Sequence, residues 1–288
     1  MQFVILDLEW NTAFDKRGHQ YISEIIEFGA IKLDEELKTV DTYARFVKPQ
    51  IEKHLHSRVK KLTHITNEDI KDAAGFLNVA DDFTRWIGDV DNTVILSWGD
   101  MDVRALTENY RYYLSDPTIP FLKYYADAQA FFMKQKDLQP SQQIGLSNAA
   151  EMIHLDAENY VHHRALGDCE MTAVIFRVVY DEDRLTPFIR VCNEEYYRRL
   201  LFHPYIIKDI HSPYVEEDSL SCKCIDCHVP CQPTTEWTFA NSSFRAFFVC
   251  PECGQTYRCN VQMRRLYSQI NTKKTVTKLE ETEAGQGK

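Results

Sequence analysis

The sequence contains no apolar run long enough to span a bilayer, which argues against a membrane protein. Its first residues also lack the cationic start and the unbroken apolar stretch of a signal peptide, because Asp7 and Glu9 fall within Met1–Asn11. We therefore expect a protein that is not exported, has no membrane partner and is cytoplasmic.

Cysteine is nearly absent from the first 221 of the 288 residues, which contain only Cys169 and Cys192. The other seven of the nine cysteines all follow. Clustered cysteines in a chain without an export signal favour metal binding over disulfides.

Positive charge is scarce, since 33 Lys and Arg stand against 43 Asp and Glu, for a net charge of −10. Residues 1–183 hold 19 basic and 31 acidic side chains, whereas residues 184–288 hold 14 and 12. The contrast suggests two modules with different partners. Acidity argues against a nucleic-acid partner, because phosphate contacts need local positive charge, unless divalent cations supply it.

Three apolar strands, then alternating helices and one or two further strands, predict an α/β domain with a mixed sheet. The expected strands are Gln2–Leu8, Glu24–Leu33, Thr39–Val47 and Thr93–Trp98, and the expected helices are residues 67–87, 102–114, 124–134, 146–155 and 165–180. We expect a first domain over residues 1–183, a helical connection and linker over 184–221, a cysteine-rich domain over 222–272 and a disordered tail over 273–288.

Four acidic residues lie near the ends of these elements. Asp7 and Glu9 are two apart on the first strand, so their side chains share a face. Asp102 follows the strand TVILSW, and Asp168 follows His163 in HRALGD, which opens a helix. Each alone has a structural explanation, such as a solvated strand end or a helix N-cap. Their order along the chain is the more specific signal.

That order resembles the DEDDh group of 3′–5′ exonucleases, which have a ribonuclease-H-like fold. The resemblance covers about residues 1–180 and includes FVKP (46–49) and LTHIT (62–66). WGDMD (98–102) is most similar to the KapD and Eri-type branch, whose enzymes act mostly on RNA. The resemblance implies a mixed five-stranded sheet flanked by helices, with Asp7, Glu9, Asp102 and Asp168 as the acidic quartet and His163 as the general base.

Four carboxylates in one cleft repel one another, and two Mg²⁺ or Mn²⁺ ions, which favour oxygen ligands, would relieve that repulsion. Asp7 is expected to bridge both ions, with Glu9 and Asp168 on one and Asp102 on the other. His163 would take the proton of the attacking water. The expected products are nucleoside 5′-monophosphates.

Substrate contact is expected at Leu8 and Trp10 beside the acidic pair. Trp10 stands where many relatives have Thr, and it either stacks on the terminal base or packs in the core. For Trp98 we favour core packing. The basic run His54–Lys61 is either a solvated face or a contact for phosphates upstream of the scissile bond.

Two C-x2-C knuckles, Cys224 with Cys227 and Cys250 with Cys253, offer four thiolates for a tetrahedral zinc site. A site closed by four thiolates leaves no open position, so we expect one structural Zn²⁺. Cys222, Cys231, Cys259 and His228 are near enough in sequence to compete as ligands. Aromatic residues interleaved with arginines, including Phe247 and Arg258, suit either the core of a zinc ribbon or single-stranded nucleic acid.

The leading prediction is therefore a metal-dependent 3′–5′ exonuclease acting on single-stranded 3′ ends, with RNA favoured over DNA. The first alternative is a DNA-specific or proofreading exonuclease on the same site. The second is a non-catalytic nucleic-acid-binding adaptor, which the complete quartet and His163 argue against. The sequence does not indicate a protein partner.

Overall fold

The computed structural model describes residues 1–139, 142–156, 160 and 163–279. The chain divides into two compact units, Met1–Leu200 and Leu201–Lys288. Within the described residues, none of the helices combines the length and the apolar character needed to cross a membrane.

A six-stranded mixed sheet forms the centre of the first unit, in the order β3-β2-β1-β4-β5-β6. Its strands are β1 (Gln2–Asp15), β2 (Gln20–Leu33), β3 (Thr39–Phe46), β4 (Thr93–Ser97), β5 (Tyr124–Asp127) and β6 (Arg190–Val191). Strands β1, β2 and β3 are antiparallel, β4 and β5 run parallel to β1, and β6 is antiparallel to β5. The mixed α/β fold is as expected, but the sheet has six strands and not five, because two residues of the expected helical connection pair with β5.

Helices cover both faces of this sheet. They are α1 (Ser57–Thr63), α2 (Asn67–Ile70), α3 (Phe76–Ile87), α4 (Met101–Leu114), α5 (Ala128–Gln135), α6 (Leu146–Met152), α7 (Ala165–Val179), α8 (Glu182–Leu185) and α9 (Glu194–Leu200). Alternate residues of β1 divide between two cores: Val4 and Leu6 pack with α3 and α4, and Phe3 and Ile5 pack with α5, α6 and α7. This period of two is the strand pattern seen in the sequence.

Two expected helices differ from the structure. The helix expected over residues 67–87 is broken into α2 and α3, because Thr66 closes a capping box with Asp69 at one start and Gly75 is the N-cap of the other. The helix expected over residues 124–134 begins as strand β5. The Asp127 carboxylate then accepts the Ala130 N–H and starts α5.

The first unit extends beyond Asp183 to Leu200. Tyr197 and Leu200 of α9 are buried in the core shared by α3 and α4, and the Tyr197 hydroxyl accepts the Ile119 N–H at 3.0 Å. Residues 184–200 are therefore part of the compact first unit.

The second unit contains a separate six-stranded antiparallel sheet with the path β12-β11-β10-β8, in which β7 pairs with β11 and β9 with β10. Its strands are β7 (Tyr205–Ile206), β8 (Gln232–Pro233), β9 (Thr238–Ala240), β10 (Ser243–Val249), β11 (Thr256–Arg265) and β12 (Ile270–Lys278). Residues 273–278 were expected in a disordered tail, but they form most of β12, which pairs with β11 along its whole length. The rest of that expected tail, from residue 280, lies outside the described residues.

Candidate active site and metal centre

Three carboxylates converge in the first unit. Asp7, Glu9 and Asp168 each offer an oxygen, and these oxygens lie within 4.8 Å of one another. Asp7 and Glu9 come from β1, whereas Asp168 lies in the first turn of α7. Residues 161 positions apart in sequence are thus joined at one spot, as expected from the D-x-E and H-x4-D segments.

The two β1 carboxylates lie in the middle of the β1–β2 pairing, beside a bulge. Asp7 lies opposite Gly29 and Glu9 opposite Glu27, and the register shifts between Glu9 and Trp10. Such a bulge bends a strand and redirects its side chains, which is why bulges occur beside active sites.

Helix α7 approaches the sheet where strand β2 has no side chain. A Cβ on Gly29 would lie 2.3 Å from the Ala165 carbonyl carbon, so another residue there would displace the helix. One turn further on, the Cys169 thiol lies 3.3 Å from the Gly29 carbonyl oxygen and 3.6 Å from that of Ile5. These contacts hold Asp168, which is adjacent to Cys169, against the part of β1 that carries Asp7.

A buried ion pair orients the start of the same helix. Glu27 is 2% exposed, and Arg164 donates to both of its oxygens at 2.6–3.2 Å. The Ala165 N–H also donates to Glu27, at 3.3 Å. A carboxylate there satisfies a free N–H of the first helical turn and complements the helix dipole. The sequence did not single out Glu27 or Arg164.

Asp102 approaches the cleft from another direction. It lies in the first turn of α4, is 4% exposed and accepts the Leu8 N–H at 3.0 Å through Oδ1. Strand β4 pairs with β1 only as far as Ile5, so the Leu8 N–H lies beyond that pairing and is available to the carboxylate. Asp102 does not belong to the group of three oxygens within 4.8 Å.

The acidic groups raise one another's pKa values. Burial, followed by the charges of Asp102 and Asp168, raises the pKa of Asp7 well above its ordinary value. Burial, followed by Asp168 and Glu27, raises the pKa of Glu9 to about 8. Burial also raises the pKa of Asp102 to about 7, although the Leu8 N–H opposes the shift. Carboxylates that resist ionisation in this way form a site that lacks compensating positive charge.

All the residues that the sequence proposed for catalysis and substrate contact line one cleft of about 520 Å³: Asp7, Leu8, Glu9, Trp10, Asp102, His163 and Asp168. His163 is exposed there, in the left-handed backbone region at φ 56°. The cleft also includes side chains that the sequence did not identify, among them Thr12, Leu146 and Ser147. They had no motif of their own, and only folding places them at the cleft.

The structure also shows where Trp10, Trp98 and the basic run His54–Lys61 lie in this unit. Trp98 lines the cleft, but its ring packs on Phe132 and its Nε1–H donates to the Ile144 carbonyl at 3.0 Å, in agreement with a core role. Trp10 lines the cleft and is partly buried against the α3–α4 core. Within the basic run, Arg58 of α1 reaches the cleft.

A family model for the exonuclease domain of the RNase T type matches residues 4–176. The chain belongs to this exonuclease family. That match contains every member of the cleft's acidic group and His163. Exonucleases of this family use divalent metal ions, and an all-oxygen group of three carboxylates, in which the pKa values of Asp7 and Glu9 are raised, fits a hard divalent cation.

Known proteins similar to this exonuclease match mainly its first unit. The probable 3′-5′ exonuclease KapD of Bacillus subtilis (strain 168) is 29% identical over 182 residues, 61% of this chain and 83% of that protein. A solved structure describing recognition of a histone mRNA stem-loop by a 3′-exonuclease aligns with a TM-score of 0.55 and 21% identity, over 67% of this chain and 71% of the other. The nuclease domain of 3′hExo, a DEDDh family member bound to rAMP, aligns with a TM-score of 0.51 and 20% identity, over 67% of this chain and 96% of the other.

The second unit of the exonuclease contains the cysteine group. The sulfurs of Cys224, Cys227, Cys250 and Cys253 lie within 4.8 Å of one another, the arrangement that two C-x2-C knuckles predicted. The group fits a zinc-binding domain, because four thiolates satisfy a tetrahedral Zn²⁺. Cys222, Cys231 and Cys259 are buried in the surrounding core and are not members of that group.

Hydrogen bonds around Cys224 favour its thiolate. The Tyr257 hydroxyl accepts the Ile225 N–H at 3.2 Å and lies 3.1 Å from the Cys224 sulfur, to which it donates. This hydrogen bond, together with the Cys227 N–H, lowers the pKa of the Cys224 thiol to about 6. Gly254, at φ 72°, adopts the left-handed turn that closes the second knuckle. A preformed thiolate is the form that binds zinc.

Proposed function

We propose that the first unit is a metal-dependent 3′–5′ exonuclease that releases nucleoside 5′-monophosphates from single-stranded 3′ ends, with RNA favoured over DNA. The observation that carries the proposal is the convergence of Asp7, Glu9 and Asp168 within 4.8 Å, in a cleft that Asp102 and His163 also line. The similarity to KapD supports the direction of attack.

The acidic quartet would hold two Mg²⁺ or Mn²⁺ ions, with Asp7 on both, Glu9 and Asp168 on one, and Asp102 on the second directly or through water. Such ions stabilise the charge that develops on a scissile phosphate and make a water molecule easier to deprotonate. The Leu8 N–H holds one Asp102 oxygen at 3.0 Å and so fixes this side chain beside the cleft that it lines. Glu27 and Arg164 hold the helix start that carries Asp168.

His163 would act as the general base in this reaction. It lines the same cleft as the carboxylates and is exposed, so a water beside the phosphate can reach its ring. Imidazole is well suited to accept a proton near neutral pH. We assign this role to His163 from its position in the cleft and from the resemblance of the H-x4-D segment to that of the DEDDh exonucleases.

The size of the cleft supports a single-stranded end. A volume of about 520 Å³ suits a molecule of about the size of one nucleotide, and a duplex terminus would have to fray to enter it. Leu8 and Trp10 would contact the terminal sugar and base, and Arg58 would meet a phosphate further along the strand. The RNA preference rests on Trp98, Met101 and Asp102, since the WGDMD segment resembles the RNA-acting branch and lines the cleft.

One set of digestions tests this proposal. Matched RNA and DNA strands, single- and double-stranded and labelled at the 5′ end, are incubated with Mg²⁺ or Mn²⁺ and the products are resolved by length. We expect progressive shortening, fastest for single-stranded RNA, that is abolished in Asp168→Asn and retained in the exposed control Asp183→Asn. Faster shortening of DNA would favour a DNA-specific enzyme, and binding without shortening would favour a nucleic-acid-binding adaptor; either result overturns the corresponding part of the proposal.

A further inference from the structure

Strands β10, β11 and β12 of the second unit have two different faces. Buried residues of β11, namely Tyr257, Cys259, Val261 and Met263, pack into the core that surrounds the cysteine group. The alternate residues point the other way. We call this second surface the open face and define it by Arg245, Phe247, Arg258, Asn260, Arg264 and Lys273.

The open face has no acidic strand residue. Four of its six defining residues are cationic, and within the described strands β7–β12 none of the alternate positions on this side is Asp or Glu. The chain as a whole has a net charge of −10, with 43 acidic residues. Solvated faces of small domains usually intersperse both signs. A strand surface whose charges all have one sign, in an acidic protein, is therefore suited to an anionic partner.

One end of the open face combines an aromatic ring with an incompletely bonded arginine. Phe247 lies directly opposite Arg258 in the antiparallel pairing of β10 and β11, where facing Cβ atoms are about 5 Å apart. The Arg258 Nε is buried and has no hydrogen-bond acceptor among the described residues. A buried donor left without an acceptor carries a desolvation cost, and nothing in the described part of the chain uses up this arginine's charge.

Further residues of the open face continue along the strands from the Phe247–Arg258 pair. Arg245 lies opposite Asn260, and its Nε donates to the Asn260 Oδ1 at 3.1 Å, which directs the guanidinium across the face. Arg258 and Arg264 are six residues apart on β11, or about 20 Å at about 3.4 Å per residue. Cations spread along this length, with an aromatic ring beside the cation at one end, match a flexible, linear polyanion that carries rings of its own.

We propose that the open face of the second unit binds single-stranded nucleic acid, with its phosphates on Arg245, Arg258, Arg264 and Lys273 and a base stacked on Phe247. A strand that carries both phosphates and bases can use both kinds of group, whereas an anionic membrane would use only the cations. This site extends the proposed function, because the same class of substrate would be held at a place that makes no chemical contact with the reacting phosphate.

The test uses the full-length chain and a circular single-stranded oligonucleotide in buffer without divalent ions or chelator. A circle has no 3′ end, so its binding does not depend on the exonuclease proposal. Binding is measured by fluorescence anisotropy across a range of salt concentrations. The variants are Arg258→Gln/Arg264→Gln and Phe247→Leu. The matched control is Lys274→Gln/Lys278→Gln, which removes two charges from the other side of β12.

We expect the double arginine variant to bind the circle roughly 10- to 100-fold more weakly, because two charge-assisted contacts are lost. The slope of log affinity against log salt should become shallower by about 1.4, at about 0.7 per phosphate contact. Phe247→Leu should weaken binding roughly fivefold or more with the slope unchanged, because stacking and not charge is removed. The lysine control should bind as the unaltered chain does, and all variants should retain zinc.

Equal affinity of the arginine variant and the lysine control, or no binding of the circle by the unaltered chain, would overturn the inference. Binding to anionic vesicles in preference to the oligonucleotide, with the same loss in the arginine variant, would replace nucleic acid with a membrane surface and also overturn it. A chain that binds the circle but does not shorten linear strands would sustain this inference and contradict the exonuclease proposal.

Discussion

Strand β2 and helix α7 meet at Gly29 and Ala165, where a Cβ on the glycine would lie 2.3 Å from the Ala165 carbonyl carbon and the same distance from the Leu166 nitrogen. The contact is made of backbone, so it cannot be relieved by turning a flexible side chain. Asp168 lies three residues beyond Ala165. The position of one acidic group of the cleft therefore depends on the absence of a side chain on another strand.

Gly29→Ala should test that dependence. We expect a destabilisation of about 1–3 kcal/mol, typical of overpacking, and a loss of hydrolysis larger than the loss of folded protein, because Asp168 moves with the helix. Thermal unfolding and the rate of strand shortening measure the two effects. Gly145→Ala is the matched control, since a Cβ there meets nothing within 4 Å. Hydrolysis by Gly29→Ala at the rate of the control would show that the close approach does not position the carboxylate.

The sequence was sufficient to predict which acidic residues meet in the cleft but not what supports them. Asp7 and Glu9 could be paired from strand spacing, whereas Asp168 was assigned from the order of the acidic residues and the family that this order resembles. Glu27 and Arg164, 137 residues apart, carry no motif, and their ion pair exists only because β2 and α7 pack together. Strand β6 has two residues, too few for any periodicity, and β12 consists mostly of Thr, Asn and Lys, a composition that resembles a disordered tail.

Metal-free protein should lose stability as the pH rises. The pKa values of Glu9 and Asp102 in the folded state, about 8 and about 7, exceed those of unfolded carboxylates near 4. The folded state therefore holds protons more tightly, and its stability falls between about pH 4 and pH 8 as these groups ionise. Added Mn²⁺ should raise the Tm of the first unit more at pH 8 than at pH 6, because at pH 6 it competes with protons.

Asp7→Asn provides the comparison for that experiment. Without metal it should be as stable as the unaltered chain or more stable at pH 8, since one repelling charge is gone, and Mn²⁺ should raise its Tm little. Scanning calorimetry of both proteins at both pH values, with and without Mn²⁺, gives the four changes in Tm that the metal causes. A Tm increase from Mn²⁺ that is equal in Asp7→Asn and the unaltered chain would place the ion elsewhere.

His163→Ala should lower kcat by roughly 10²–10⁴-fold and change KM little, as expected when a general base is lost. His19→Ala is a matched control, because His19 is also exposed and also has a left-handed backbone, at φ 49°. Steady-state hydrolysis of a short RNA strand separates the two constants. Unchanged kcat with a raised KM would make His163 a binding residue.

Cys253→Ser should release zinc and unfold the second unit, because a four-thiolate site contributes its binding free energy to folding. Cys192→Ser, which lies in the first unit, should leave the zinc content unchanged. Elemental analysis of the purified variants gives the zinc per chain. One zinc per chain in Cys253→Ser would mean that another of the nearby cysteines completes the site.

The central claim is that the carboxylate cleft removes nucleotides from a 3′ end. The most direct measurement follows a single-stranded RNA labelled at its 5′ end, with Mn²⁺, and identifies the released products by mass. The account predicts that the labelled strand shortens step by step while unlabelled nucleoside 5′-monophosphates accumulate, and that neither occurs in Asp7→Asn. Early release of the label as a mononucleotide, or cleavage of a circular strand that has no end, would contradict it.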